Sequence, residues 1–413
     1  MESAVQPLKG GPAARVAAAG NAGVEMSAIP KAAVGTRIGS IDALRGLVML
    51  FMLLDHIRET FILWMPVTDP VDANSIDPGL FFTRLTSTFC APTFVALTGL
   101  SAYLYSQKHT KKEVSWFLFS RGLFLVFLEV TVIAYCWATQ PLYFPPPTIF
   151  LQVIWAIGLS MIALAGLIHL PRVAQLVIGI GIVCIHNLLD PIVLTPESPY
   201  FEIWGVLHQR IFIPLGDISQ FKTSYPVLPW IGLILLGYVV GPLFGKLTTS
   251  EDRIRRLMIL GVGLLVGFVV IRALNFYGDL PWYQADTQLR TVMSFLALTK
   301  YPPSLLFLMP TVGVGCLLLA WFERLKDNAV LPHLALFGGA PMFFYIVHLY
   351  LLKLLYNIGY AIYGPNHGEL FGFDTLGAVW LLFALLIVPL YFPTRWFAQL
   401  KQRRRDIWWL KYL

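Results

Sequence analysis

Residues Ser40–His56, SIDALRGLVMLFMLLDH, open the first long apolar segment of the chain, yet they carry four ionisable side chains. These side chains are Asp42, Arg45, Asp55 and His56. In a helix, Arg45 and His56 are separated by about three turns, roughly 16 Å of rise, and project from nearly the same face. A charged group inside a bilayer helix costs on the order of 2.5–3.5 kcal/mol and usually marks function. We therefore predict that this helix face carries the functional site.

The composition predicts an all-α fold, a polytopic integral membrane helical bundle. Of the 413 residues, 57% are hydrophobic and 13% are charged. Several apolar runs exceed the ~20 residues that a helix needs to cross the hydrocarbon of a bilayer. The net charge of +7 comes mostly from basic residues in short loops and at the C-terminus. That distribution indicates membrane orientation rather than nucleic-acid binding.

The four cysteines fall inside or at the edges of apolar segments, at Cys90, Cys136, Cys184 and Cys316. The sequence has no Cys-x-x-Cys pair and no Cys/His spacing typical of metal ligands. We interpret these cysteines as core residues and expect no metal site.

The apolar runs predict about ten transmembrane helices. Their expected ranges are 41–64, 81–105, 114–138, 149–170, 173–190, 226–245, 257–274, 303–322, 338–362 and 375–400. Residues 1–38 are poor in aromatic and large aliphatic side chains, which predicts a disordered cytosolic tail. Residues 39–400 then form the transmembrane domain, and residues 401–413 form a basic cytosolic C-terminal tail.

The loops between these helices alternate in charge. Lysine and arginine are concentrated in 107–113, in 246–256 and at the C-terminus, whereas 65–80 and 363–374 are acidic. The positive-inside rule places the basic loops and both termini in the cytoplasm. An even number of helices fits this arrangement.

Two of the outer loops, 191–225 and 275–302, are too long to be simple turns, and they mix aromatic with polar residues. Long ordered loops in compact proteins are often functional. Both a functional lid and a plain cap over the bundle fit their sequences.

Other polar residues in the apolar segments are candidates for the site. Arg121 and Glu129 are near one face of the third helix, where a structural ion pair and a catalytic role are both reasonable. Arg84 begins the second helix, in which Pro92 is predicted to introduce a kink. We expect Arg45, Arg84 and Arg121 to border one polar cavity.

His348 lies deep in the ninth predicted helix and is the alternative base to His56. Lys300 and Tyr301 precede two prolines, Pro302 and Pro303, at the outer surface. This stretch is either a binding element or simply the start of a helix, since proline is well tolerated in a first turn. His186 is interpreted as a histidine of the bundle core or interface.

The motif Asp42-x-x-Arg45-Gly46 and the spacing Arg45-x10-His56 resemble a known group. The chain is similar to bacterial relatives of the heparan-alpha-glucosaminide N-acetyltransferase catalytic domain family, within the membrane acyltransferase superfamily. The other stretches that carry the resemblance are RLTSTFCAPTF (84–94), TKYPPSL (299–305) and FGGAPMFFYIVH (337–348). The resemblance implies the bacterial inner membrane as location.

The resemblance also implies acyl transfer across a membrane. Acyl-CoA (acetyl-CoA) enters as co-substrate from the cytoplasm, and a hydroxyl or amine of a glycan or other acceptor is modified on the far side. The heparan enzyme has asparagine at the position of His56 and a catalytic histidine in the next loop, whereas 64–80 here contains none. The candidate catalytic residues are His56, Arg45, Asp42, Asp55 and His348. The candidate substrate-binding residues are Arg84, Arg121, Glu129, Lys300 and Tyr301.

The residues by themselves suit the same chemistry. A cation near the cytoplasm and a histidine roughly 16 Å along the helix are separated by about the length of a pantetheine arm. A histidine can accept the acceptor's proton as a general base, with Arg45 as donor contact or structural cation and Asp42 as its orienting partner. Direct transfer and a covalent acyl-histidine intermediate both fit.

The main rival is a transporter or exporter of a polar or lipid-linked solute, in which buried charges act as relay or binding groups. The sequence shows no inverted repeat and no matched pair of broken helices, features typical of such transporters. A non-catalytic scaffold leaves the charges of the first helix without a role. The expected partners are membrane lipid, the donor and the acceptor; both a monomer and a homodimer fit.

Overall fold

The structure is a computed structural model, and it describes residues 39–410 except 66, 138–144, 326–327, 405 and 408–409. The chain is mostly helical, with three short strands. The predicted disordered tail at 1–38 lies outside the described residues, as does much of the predicted C-terminal tail.

Fifteen α-helices follow one another in the described part of the chain. They are α1 Gly39–Phe61, α2 Pro78–Leu85, α3 Cys90–Ser106, α4 Lys111–Leu128, α5 Ala134–Trp137, α6 Val153–Leu167, α7 Arg172–Ile185, α8 Phe201–Leu207, α9 Leu228–Val240, α10 Ser250–Leu274, α11 Gln288–Leu296, α12 Leu305–Arg324, α13 Leu331–Gly339, α14 Pro341–Tyr363 and α15 Leu376–Arg403. A π-helical turn, Glu129–Ile133, joins α4 to α5, and 3-10 turns follow α7 and α9 at His186–Leu189 and Gly241–Phe244.

The described chain has helices with the length and composition of membrane spans. Among the described residues seven segments qualify: Pro78–Ser106, Lys111–Trp137, Arg172–Leu189, Ser250–Leu274, Leu305–Arg324, Pro341–Tyr363 and Leu376–Arg403. Two shorter apolar segments are Val153–Leu167 and Leu228–Phe244. Large apolar side chains point outward from the perimeter, as do Val177, Ile259 and Phe392. An outward apolar surface over long helices is what lipid requires, so the chain is an integral membrane protein.

Helix α1 lies inside the bundle, packed along α13 and against α3, α12, α14 and α15. Its backbone approaches α13 closely enough to require glycine. A Cβ atom on Gly46 would lie 1.7 Å from the Leu334 carbonyl oxygen, and one on Gly338 would lie 1.9 Å from that of Asp42. The glycine of the predicted motif is therefore a helix-packing residue.

The predicted second helix is broken in the turn that precedes Pro92. Helices α2 and α3 are separated at residues 86–89, where the Thr86, Ser87 and Thr88 hydroxyls each donate to a carbonyl three residues earlier. Pro92 lies in the first turn of α3, where its missing N–H leaves no intrahelical bond unmade. The break agrees with the kink predicted for Pro92, because proline cannot bond to the carbonyl four residues earlier, at Thr88, and its ring clashes with that carbonyl.

The predicted fourth helix begins with a strand instead. Strand β1, Thr148–Leu151, pairs in parallel with β3, Ser219–Thr223, and β3 pairs antiparallel with β2, Phe212–Leu215. The spatial order is β1–β3–β2. The apolar run TIFL suits either a strand or a helix, and the partner that decides between them lies about 70 residues away in sequence.

Candidate active site

Two buried histidines from opposite ends of the chain meet at the centre of the site. His56 Nδ1 on α1 and His348 Nε2 on α14 are 2.7 Å apart, and the rings are nearly parallel with centroids 5.0 Å apart. His348 Nδ1 lies 2.7 Å from the Phe344 carbonyl oxygen. The structure thus brings together the two histidines that the sequence offered as alternatives.

The Phe344 carbonyl assigns the protons of this pair. A carbonyl oxygen only accepts, so Nδ1 of His348 carries the hydrogen, and in the neutral ring its Nε2 accepts. His56 must then donate from Nδ1, which leaves the lone pair of His56 on Nε2. This arrangement fixes one tautomer of His56, and the nitrogen it leaves unprotonated is the one suited to take up a proton.

Aromatic rings hold the His56 imidazole in place. Trp137 at the end of α5 and Tyr345 on α14 meet it edge to face, with ring centroids 5.3 and 5.7 Å away. Such pairs contribute about 0.5–1.5 kcal/mol each beyond the area that they bury. The ring is therefore held by contacts on several sides.

An ionic network adjoins the histidine at the end of α1. Arg58 donates from Nε and Nη2 to Asp55 Oδ1, at 3.1 and 2.8 Å, and from Nη2 to Glu59 at 3.1 Å. Lys300 Nζ lies 3.8 Å from Asp55 Oδ2. Removing one partner of a buried ion pair costs about 3–5 kcal/mol, so these groups depend on one another.

A loop carboxylate ties the Lys300 segment to α2. The Asp69 side chain accepts from the backbone N–H groups of Lys300 and Tyr301, at 3.2 and 2.9 Å. Arg84 donates to Asp69 at 3.3 Å and to the Thr68 carbonyl at 2.9 Å. Asp69 thereby holds Arg84 and the Lys300 segment close together.

A small cavity of about 30 Å³ borders His56, and a larger cleft of about 630 Å³ lies next to it. Glu59, Gln152, Lys300 and Tyr301 line both spaces. The cleft is lined by five cations and two carboxylates: Arg58, Arg84, Arg210, Lys222, Lys300, Glu59 and Asp69. Its electrostatic character is therefore cationic, which favours negatively charged molecules.

The sequence profile of the family described as heparan-alpha-glucosaminide N-acetyltransferase, catalytic, matches residues 37–278, more than half of the chain. The chain belongs to this family. The match implies membrane acetyltransferase activity and includes His56, Arg84 and Arg210, whereas His348 and Lys300 lie beyond it. No curated protein matches the chain.

The Arg45 end of α1 is built differently. Arg45 pairs with Asp42 at 3.0 Å, which confirms the predicted i−3 partner. It also donates to the Leu97 carbonyl and the Ser101 hydroxyl of α3. Arg84 borders the cleft at the other end of α1, and Arg121 on α4 stacks over Phe117 at 5.8 Å. The prediction that the three arginines border one cavity was wrong. Arg45 and Arg84 lie near opposite ends of α1, which is 23 residues long.

Glu129 is fully buried but belongs to the scaffold behind the site. Its carboxylate accepts from the Trp155 N–H at 2.9 Å, in the first turn of α6. The N–H groups in the first turn of a helix have no intrahelical partner and need such an acceptor. Glu129 also begins the π-helical turn, so it orients α6.

Two ionisable groups of the site lie in loops and carry shifted pKa values. Burial raises the pKa of Asp69 above its usual value, although Arg84 and the Lys300 backbone N–H act in the opposite direction. Burial acts to lower the pKa of Lys300, but Tyr301, Asp55 and Glu59 outweigh it and hold that pKa above its usual value. Lys300 is therefore a cation at neutral pH.

Several site residues were not singled out from the sequence. They are Arg58, Glu59, Asp69, Trp137, Arg210, Lys222, Tyr225 and Tyr345. Only Arg58 had a local signal, since it stands three residues after Asp55 on the same helix. Arg210 and Lys222 come from the long loop 191–225, which borders the cleft.

Proposed function

We propose that the protein is a membrane-bound acyltransferase that moves an acetyl group from cytosolic acetyl-CoA to a hydroxyl or amine of an acceptor at the extracytoplasmic face. The His56–His348 hydrogen bond beside a cationic cleft carries this proposal. Family membership supports the reaction class, and the tautomer of His56 supplies the base that the reaction needs.

In the proposed reaction, His56 Nε2 takes the proton of the acceptor hydroxyl or amine as the acceptor attacks the thioester carbonyl. The new C–O or C–N bond forms while negative charge develops on the carbonyl oxygen. The C–S bond then breaks, and the proton passes from His56 to the leaving sulfur, so CoA departs as the thiol and His56 returns to its neutral form. His348 acts as a positioning residue, because it accepts from Nδ1 of His56 throughout.

Lys300 and Asp55 have supporting roles in this scheme. The Lys300 ammonium borders the same cavity as His56 and is suited to stabilise the charge on the carbonyl oxygen. Asp55 pairs with Lys300, which lines the cavity, and with Arg58, which lines the cleft. Tyr301 lines both the cavity and the cleft.

The cleft is proposed to receive the acceptor. Its borders come from the segments 62–69, 146–150, 210–224 and 300–301, which belong to the predicted outer side. Its cationic lining favours an acceptor that carries a phosphate, sulfate or carboxylate, such as an anionic glycan. Arg84, Arg210 and Lys222 are the groups proposed to contact it.

The donor is proposed to contact the other end of α1. Arg45 lies roughly 16 Å of helix rise from His56, so a CoA phosphate near Arg45 would leave the thioester within reach of His56. Asp42 fixes the arginine. This scheme needs ten membrane crossings, with α1, α6 and α9 included, and both termini in the cytoplasm of a bacterial cell.

Transfer in proteoliposomes tests the reaction. Labelled acetyl-CoA is supplied on one side and a panel of amino sugars, neutral and phosphorylated or sulfated, on the other. We expect label on an acceptor with the intact protein and none with His56→Ala, while the exposed-site control His169→Ala retains activity. Solute flux without acetylation would contradict the proposal and favour a transporter.

Topology is tested separately with a reporter that is active only in the periplasm. Fused after Leu413, it should give no signal, because the basic C-terminal segment is retained in the cytoplasm. The same reporter inserted in the 363–374 loop is the positive control. A strong signal from the C-terminal fusion would contradict the assignment of donor and acceptor sides.

A further inference from the structure

A second histidine cluster lies outside the proposed active site, where α7 ends. His186 begins the 3-10 turn after α7, Asp190 ends it, and His208 follows α8. One ligand atom from each of the three side chains lies within 4.8 Å of the others. His208 Nε2 is 2.9 Å from Asp190 Oδ1, so two of the three are already in contact.

Both imidazoles are buried, and three of their four ring nitrogens lack a hydrogen-bond partner among the described residues. His186 is 2% exposed and His208 is 4% exposed. Within the described part of the chain, neither nitrogen of His186 has a hydrogen-bond partner, nor does Nδ1 of His208. Leaving buried polar atoms unpaired is costly, and such atoms in a native protein call for a ligand or a bound ion.

We propose that His186, Asp190 and His208 bind a divalent transition-metal ion, for which Zn²⁺ is the best match. Two imidazole nitrogens and a carboxylate oxygen form a donor set typical of zinc, with water in the fourth position. Tetrahedral bonds of about 2.0–2.2 Å place ligand atoms roughly 3.3–3.6 Å apart. Metal binding therefore requires the ligand atoms, now within 4.8 Å of one another, to move closer together, and the half-exposed Asp190 carboxylate has room to rotate.

A second layer of contacts already orients the carboxylate. Asn187 donates from Nδ2 to Asp190 Oδ2 at 2.9 Å, and its Oδ1 accepts from the Leu305 N–H at 2.9 Å. Such outer contacts are a regular feature of metal sites because they fix the ligand geometry. The site is thereby linked to the first turn of α12.

The ion would join α7 to the segment that carries Arg210. His208 precedes Arg210 by two residues, and the Arg210 guanidinium lies 5.0 Å from the Tyr301 ring centroid at the cleft. A metal bound at His208 therefore limits the motion of a cleft cation. The site has a structural role that acts on acceptor binding rather than on the chemical step.

Metal analysis and titration of the full-length protein test the proposal. The protein is purified in detergent without a histidine tag, and Zn²⁺ is titrated in competition with a chromophoric chelator. We expect about one tightly bound ion per chain. His186→Gln, His208→Gln and Asp190→Asn should each weaken binding by more than about 100-fold, beyond the cost of losing an outer contact.

Matched controls separate the site from general metal affinity. His169→Gln and Asp217→Asn replace exposed residues of the same types, and both should bind Zn²⁺ as the unchanged protein does. Co²⁺ gives a second readout, since its visible absorption reports the coordination geometry and should change in Asp190→Asn. If the histidine variants fail to fold, Asp190→Asn provides the test. The Asp190 side chain is half exposed, so this substitution should not prevent folding.

The proposal is overturned if the unchanged protein binds no Zn²⁺ or Co²⁺. It is also overturned if folded Asp190→Asn binds them as tightly as Asp217→Asn does. In either case the buried imidazoles would be bonded to water instead. The measurement needs no acetyl transfer, so failure of the proposed enzymatic activity leaves it interpretable.

Discussion

The two pairs of buried histidines are alike in residue type but differ in what surrounds them. In the first pair, His56 and His348 bond to each other at 2.7 Å, and His348 bonds to a backbone carbonyl. In the second pair, the His186 and His208 ring centroids are 5.7 Å apart, and His186 has no hydrogen-bond partner in the described part of the chain. Three of the four nitrogens in the first pair have a partner, whereas only one of the four in the second pair has one among the described residues.

This difference teaches how the surroundings of an imidazole assign its role. A carbonyl partner fixes the tautomer along the first pair and leaves one defined basic nitrogen, as proton transfer requires. In the second pair, imidazole nitrogens without hydrogen bonds and the adjacent Asp190 carboxylate both offer lone pairs, as metal binding requires. Substitutions and metal chelation that alter these surroundings test whether the two histidine pairs have different roles.

The largest expected effect belongs to His56→Ala. Turnover should fall by roughly 100-fold or more, the usual scale for removing a general base, while acetyl-CoA binding is retained because Arg45 is untouched. Transfer of labelled acetyl groups and a separate CoA-binding measurement on the same proteoliposomes check this. Full activity in folded His56→Ala would remove His56 from the mechanism.

His348→Ala should have a smaller effect, a loss of about 10- to 100-fold, the scale for groups that orient a functional residue. Nδ1 of His56 would then lose its acceptor, and the ring could adopt the other tautomer. His348→Gln should recover part of the loss, because its Oε1 lies close to the position of the histidine Nε2 and can accept the same hydrogen bond. Equal activity of the two variants would contradict a positioning role.

Arg210→Gln should act on the acceptor alone. We expect the KM for phosphorylated or sulfated acceptors to rise by roughly 5-fold, the scale of about 1 kcal/mol for a partly exposed ionic contact, with kcat unchanged. Neutral amino sugars serve as the internal control and should show no change. A similar rise in KM for neutral acceptors would mean that the cleft does not select acceptors by their charge.

The smallest effect is expected from chelation of the metal. Removing the ion should raise the KM for anionic acceptors by no more than Arg210→Gln does, about 5-fold, since the ion acts through that residue. The kcat should not change, because His56 and His348 do not contact the second pair. Chelation repeated on Asp190→Asn should give no further effect. A fall in kcat on chelation would place a metal in the chemical step.

Local pattern alone predicted the long apolar helices and the Asp42–Arg45 ion pair. Apolar runs of sufficient length predicted the membrane segments because lipid leaves the backbone no other partner than itself. The Asp42–Arg45 pair was also predictable, since residues three apart are neighbours on a helix. Arg58 was equally within reach of this rule, through Asp55.

Tertiary structure decided everything that depends on distant segments. His56 and His348 are 292 positions apart, so their bond, and with it the tautomer, is set by the packing of α14 against α1. Strand β1 exists because β3 supplies its partner, and His186 meets His208 only through the return of loop 191–225. Apolar patterning specifies which face of a helix is buried. It does not specify which other helix packs against that face.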